Sequence, residues 1–221
     1  MGTRFPRSRA ALENDGYLRK EPGGRGLVAG PRLLALAQSL IGGASLAGAR
    51  HAILAGAARR IGETCNLSMP KDGEMLYLDR VETEWPLRLQ LPVGTRVPLH
   101  CTASGKLFLS SLSPAARAAL LRSLPLERRG PNTITDPAAL GAALEEIRRN
   151  QLGTDDQEFL EGMVAVAVPV TDAAGRFVAS LAVHAPLLRM TLEQARAHVP
   201  VLREAAARLA ELGGEAPAEG G

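Results

Sequence analysis

The 221 residues are 46% hydrophobic, 22% charged and only 3% aromatic, with a single Trp. That composition builds a core from Leu, Val and Ala, argues against disorder, and leaves no aromatic platform for stacking single-stranded nucleic acid. A net charge of +3 is too small to imply a nucleic-acid partner by itself, but seven basic residues and three acids precede Leu33, so the positive surplus sits at the N-terminus.

In chain order, "PRSRAALEND" reads as a short helix closed by Gly16. Two extended pieces, "GYLRK" and "RGLVAG", follow around the turn "EPGGRG", a winged arrangement. "GPRLLALAQSLIGG" predicts a connector helix opened by Pro31 and ended by Gly42-Gly43, whose apolar stripe packs on a second copy or on its own second domain. The stretch "LLALAQSLIGGASLAGA" falls short of the ~20 apolar residues of a membrane span. The start lacks the apolar run of a signal peptide, and Cys65 and Cys101 have no CxxC spacing, so both are expected to be reduced thiols in a soluble, cytoplasmic protein.

A longer amphipathic helix is expected from Ser45, then a meander of strands in "CNLSMP", "GEMLYLDRVE" and "LRLQLPVG". Helices return in "TASGKLFLSSL", "SPAARAALLRSL" and "DPAALGAALEEIRRN". Two strong strands, "MVAVAVPVTD" and "RFVASLAVHAP", come next. In the second, alternation places Phe177, Ala179, Leu181 and Val183 on one face and Val178, Ser180, Ala182 and His184 on the other. The small residues ending in an imidazole suit a pocket floor or, equally, close packing of a helix. A final helix starts at a Thr191/Gln194 capping box and is broken or kinked at Pro200, and the tail after residue 212 is expected to be disordered.

"HCTASGK", residues 100–106, raises the chemical question. A Cys101 nucleophile needs a base in reach, yet neighbours in an extended strand diverge, which turns His100 away, and no orienting third group is evident. If Thr102 caps the next helix, the N–H groups of Ala103, Ser104 and Gly105 face outward as a carboxylate site, or the turn is simply a capped helix with small residues for packing. Asp155, Asp156 and Glu158 lie before the first strong strand, either on a solvated loop or as acceptors for a ligand hydroxyl. No spacing fits a zinc site or a phosphate-cradling loop, so no metal or cofactor is expected.

The order of these pieces resembles the IclR family of bacterial transcriptional regulators. "ALENDGYLRK" with "GPRLLALAQSL" resembles the end of its winged helix-turn-helix and linker, "VPLHCTASGKLFLSSL" its first effector-domain helix, and "GTDDQEFLEGMVAVAVPVTDAAGRFVASLAVHAP" its most diagnostic segment. The resemblance implies an α+β chain: a partial winged helix-turn-helix (1–29), a linker helix (30–44), a GAF-like effector-binding domain with an antiparallel sheet flanked by helices (45–212), and a tail (213–221). It implies a ligand-responsive regulator rather than an enzyme, a homodimer or a tetramer of dimers, with promoter DNA and a small carboxylic or aromatic acid as partners.

By motif, the effector positions are Ala103, Ser104, Asp155, Ala165, Ala182 and His184, and the DNA-facing positions are Arg4, Arg7, Arg9, Lys20 and Arg25. Ala165, Ala182 and His184 stand where relatives carry Cys or Ser, so a better-known member's ligand does not transfer; a titrating His184 would make binding pH-dependent. The family's complete DNA-binding domain has two further helices before the recognition helix, and "RFPRSRAALEND" starts within or just ahead of that helix. The expectation is a start lying upstream, the alternative a stand-alone sensor that binds no DNA. A Cys101-dependent enzyme is the third reading.

Overall fold

The computed structural model describes residues 9–20, 26–86 and 88–214. The chain divides into two compact units, Met1–Gly48 and Ala49–Gly221. In the first, α1 (Arg9–Asn14) precedes an antiparallel pair, β1 (Leu18–Lys20) and β2 (Leu27–Ala29), with Leu18 opposite Ala29. The turn between them, expected in "EPGGRG", lies outside the described residues except Gly26, and the tail beyond Gly214 lies outside them too.

One expectation fails in the next element. Helix α2 runs unbroken from Pro31 to Ile61 through Gly42-Gly43, so the connector and the second helix are one. A helical glycine costs about 1 kcal/mol relative to Ala, and the Ala- and Leu-rich sequence on both sides supports propagation through the pair.

The second unit is built on one six-stranded antiparallel sheet in the order β5-β4-β3-β8-β7-β6. Its strands are β3 (Thr64–Lys71), β4 (Glu74–Val81), β5 (Arg96–Pro98), β6 (Gly153–Asp156), β7 (Met163–Thr171) and β8 (Phe177–Pro186). The β3–β4 hairpin turns at Asp72 and Gly73, both with positive φ (52° and 82°), the conformation of a two-residue hairpin loop. Because side chains alternate, Cys65 and Leu67, Val166 and Val168, and Leu181, Val183 and Ala185 share one face. They are buried with Leu54 and Ile61 of α2 and with residues of α6 (Leu192–Ala197) and α7 (Val199–Gly214) in one core. The opposite face packs under α3 (Ala103–Ser111) and α5 (Pro137–Asn150) in a second core. Helix α4 (Pro114–Ser123) has no buried residue.

Three local readings change. Over residues 88–94 "LRLQLPVG" forms no strand; the ladder resumes only at Arg96, because Pro86 and Pro92 lack the N–H that a ladder needs and the Leu89 carbonyl is taken by the Arg80 guanidinium instead. "GTDD", read as a possible loop, is edge strand β6: its residues have poor strand propensity but find a partner in β7. Phe177 does not share a face with Ala179. Partners step from Val170↔Ala179 to Thr171↔Phe177, so Val178 is an extra residue in a bulge, and Phe177 turns to meet Phe108 of α3 with ring centroids 5.6 Å apart.

At the C-terminal end the capping box at Thr191 and Gln194 is present, and the helix breaks at His198, leaving Pro200 in the first turn of α7 where its missing N–H is harmless.

Candidate effector site

The site is a cavity of about 40 Å³ between the sheet and the start of α3. Register builds its floor. Asp155 on β6 faces Ala165 on β7, Ala165 faces His184 on β8, and His184 faces Thr64 on β3, a single rung whose side chains leave the sheet on the same side. The next rung on that side carries Gly153, Ala167, Ala182, Asn66 and Arg80. Methyl groups at Ala165 and Ala182 leave the space, and the polar groups stand at its edges. Ala103, Ser104, Asp155, Ala165, Ala182 and His184 therefore all line one cavity, and Ser104, Asp155 and His184 are buried.

The roof is the first turn of α3. Thr102 is its N-cap, accepting a hydrogen bond from the Gly105 N–H at 3.1 Å and donating to the Pro98 carbonyl at 2.7 Å. The cap thus consumes one of the three N–H groups expected to face a ligand; those of Ala103 and Ser104 remain at the positive end of the helix.

Sequence reasoning missed Asn66, Tyr77, Leu89, Phe159 and Met163, which also line the cavity. The signal for Asn66 was present as a polar residue alternating with Cys65 and Leu67, but its neighbours in space are decided by the β3–β8 pairing.

Electrostatics distinguish the two titratable effector positions. Asp155 accepts from the backbone N–H groups of Glu158 (2.8 Å) and Phe159 (3.3 Å), yet burial, with the Glu158 charge adding to it, pushes its carboxyl up to about 7. His184 goes the other way: burial, then the Arg80 charge, lowers it to about 3, and its Nε2 is buried without a partner. The imidazole is therefore neutral across the physiological range, which corrects the expectation that His184 makes binding pH-dependent; Asp155 is the group that titrates near neutrality. Behind the site, Lys106 Nζ donates to Glu158 Oε1 in a buried ion pair. Lys106→Met, which strands the Glu158 carboxylate, is expected to lower the unfolding free energy by about 3 kcal/mol in urea titrations at pH 8.

Cys101 is fully buried and its thiol is raised to about 12, first by burial and then by Asp155 and Glu158, while His100 Nε2 is spent on the Glu127 carbonyl at 2.8 Å. This is the opposite of an activated nucleophile. Cys65 is likewise buried and raised to about 12, and neither cysteine forms a disulfide. A thiol reagent at pH 8 should label neither residue in the folded chain and both in denaturant.

The DNA-facing candidates are less assembled. Arg9 opens α1 and Lys20 ends β1, exposed, while Arg4, Arg7 and Arg25 lie outside the described residues. Among the described residues no helix is long and apolar enough to cross a membrane.

A family model described as "Bacterial transcriptional regulator IclR C-terminal" matches residues 38–211. The chain belongs to the IclR family. It is 49% identical over 195 residues to the "Probable transcriptional regulator SauR" of Cupriavidus necator, a match covering 88% of this chain and 77% of SauR. It is 37% identical to the "HTH-type transcriptional regulator BhcR" of Paracoccus denitrificans over 67% of this chain, but spans only 53% of BhcR. Among solved structures, an IclR homologue from Microbacterium hydrocarbonoxydans complexed with 4-hydroxybenzoate superposes with a TM-score of 0.69 at 26% identity, covering 92% of this chain and 82% of that one. The α+β unit with its flanked antiparallel sheet is thus an IclR effector-binding domain, and the family is one of transcriptional regulators.

Proposed function

We propose that the chain is a ligand-responsive transcriptional regulator whose effector-binding domain takes a small organic acid between the α3 N-terminus and the Asp155–Ala165–His184 rung. The observation that carries this is a cavity with unpartnered buried polar atoms, Asn66 Oδ1 and His184 Nε2, facing the free N–H groups of a helix start. Ala103, Ser104, Asp155, Ala165, Ala182 and His184 form the site. Cytoplasmic location and assembly as a homodimer or tetramer accompany this reading. Residues 1–29 are assigned as the partial DNA-binding end, with Arg4, Arg7, Arg9, Lys20 and Arg25 facing phosphates, 30–44 as its linker and 45–212 as the effector domain.

The test is an electrophoretic shift of the upstream intergenic DNA by this chain and by a version extended upstream by about 45 residues, the length of two further helices with their turns. Salt-sensitive binding by either, altered by a short acid, supports the regulator. Failure of both, with an acid still raising the melting temperature, replaces it with a stand-alone sensor.

A further inference from the structure

Beside the cavity lies a charge that the six effector positions do not use. Arg80 is the register partner of Asn66, so both side chains leave the sheet on the cavity side. Its side chain is 3% exposed. Nη2 donates to the Leu89 carbonyl, the Tyr77 ring centroid lies 6.0 Å from the guanidinium carbon, and Nε is 3.2 Å from Glu82 Oε1. Three of these neighbours, Asn66, Tyr77 and Leu89, line the cavity. Nη1 is buried with no partner. Such a donor is costly to leave unmet, and a guanidinium does not escape by losing its proton.

The local charge does not cancel. Glu82 is shared, its other oxygen accepting from Arg88 Nε at 2.7 Å, so two guanidinium groups meet one carboxylate and one positive charge is left over. Arg80 itself does not line the cavity but packs against Asn66, Tyr77 and Leu89, which do; the positive feature on the lining is the pair of Ala103 and Ser104 N–H groups at the start of α3, with Asp155 also on the wall. Between the two ends, Asn66 and His184 hold unpartnered polar atoms.

We propose that the cavity has two anion-recognising ends, the α3 N-terminus and Arg80, and that its effector is a short acid carrying two anionic groups, with Arg80 as the residue that selects the second. This rests on the reading of the cavity as the effector site. A charge-assisted hydrogen bond from Nη1 in a desolvated place distinguishes a diacid from a monoacid of equal length, whereas the helix start binds the first carboxylate of either.

The test is isothermal titration of the full chain at about pH 6.5, where both carboxylates of a short diacid are largely ionised, with malonate against propionate and succinate against butyrate. The native chain should bind one diacid at least about tenfold more tightly than the matching monoacid. Arg80→Gln should erase that ratio while leaving the monoacid within about twofold, and Glu82→Gln, which frees the guanidinium, should widen it. Equal binding of diacid and monoacid, or an Arg80→Gln variant that weakens both alike, overturns the proposal and leaves the effector site standing. If none of the four acids binds, the effector reading falls and this one with it. Should Arg80→Gln fail to fold, an unchanged ratio in Glu82→Gln is the overturning result.

Discussion

At pH 8, Asp155→Asn should unfold at a higher temperature than the native chain, and the difference should vanish by about pH 4. The reason is the direction of the Asp155 shift. Its carboxyl moves from an ordinary value of 3.8 to about 7 because burial disfavours the charged form more than two backbone N–H bonds and Lys106 favour it. A group with a raised folded-state value binds its proton more tightly folded than unfolded, so its contribution to stability is complete below 3.8 and is lost as pH climbs to about 7. Above that the native chain keeps a buried carboxylate at a cost on the order of 2–4 kcal/mol. Asn retains the carbonyl oxygen that accepts from Glu158 and Phe159 and removes the charge. Thermal melts of both proteins between pH 4 and pH 8 decide the matter; parallel curves would refute it.

The same group sets a second expectation. An anionic effector beside Asp155 favours its protonated form, so binding takes up a proton, and affinity should fall as pH rises above 7, by at most about tenfold per unit. In Asp155→Asn that slope should flatten, and in His184→Ala it should persist. The costly carboxylate is then a functional feature rather than a stabilising one.

Gly153→Ala should be among the most damaging single methyl additions at the described glycines. An added Cβ would lie 2.1 Å from the Ala103 carbonyl oxygen and 3.0 Å from Leu107 Cβ. The first contact is with backbone, which cannot rotate away. Either the start of α3 lifts from the sheet or β6 leaves its ladder with β7, and each movement separates Ala103 and Ser104 from Asp155. A loss of about 3 kcal/mol or more is expected, read in urea denaturation, with effector-induced stabilisation abolished in whatever folds. Gly141→Ala is the control. It lies within α5 with nothing within 4 Å of the added methyl and should stabilise by up to about 1 kcal/mol. Equal behaviour of the two variants would dismiss the close approach as the cause.

Local rules carried the reading of this chain as far as chemistry within a few residues reaches. The caps at Thr102 and Thr191 stand where side-chain oxygens and following residues placed them, because an N-cap bond spans only three residues. The small residues of β8 and its His184 were legible as a face, because alternation is a property of one strand. Residues recognised by family resemblance converge on one cavity, though no periodicity brings Ala103 to Asp155. That meeting needs the whole β6–β7–β8–β3 ladder, whose registers join residues more than a hundred positions apart.

Cooperativity along a helix and tertiary packing decided the rest. Helix α2 continues through Gly42-Gly43 because helix propagation is cooperative over many residues. The Val178 bulge and the strand state of "GTDD" depend on partners rather than on propensity. His184 loses the titration expected of it and Asp155 gains one for the same reason: a side chain's charge follows from its desolvation, and desolvation is set by everything packed around it, which no short stretch of sequence contains.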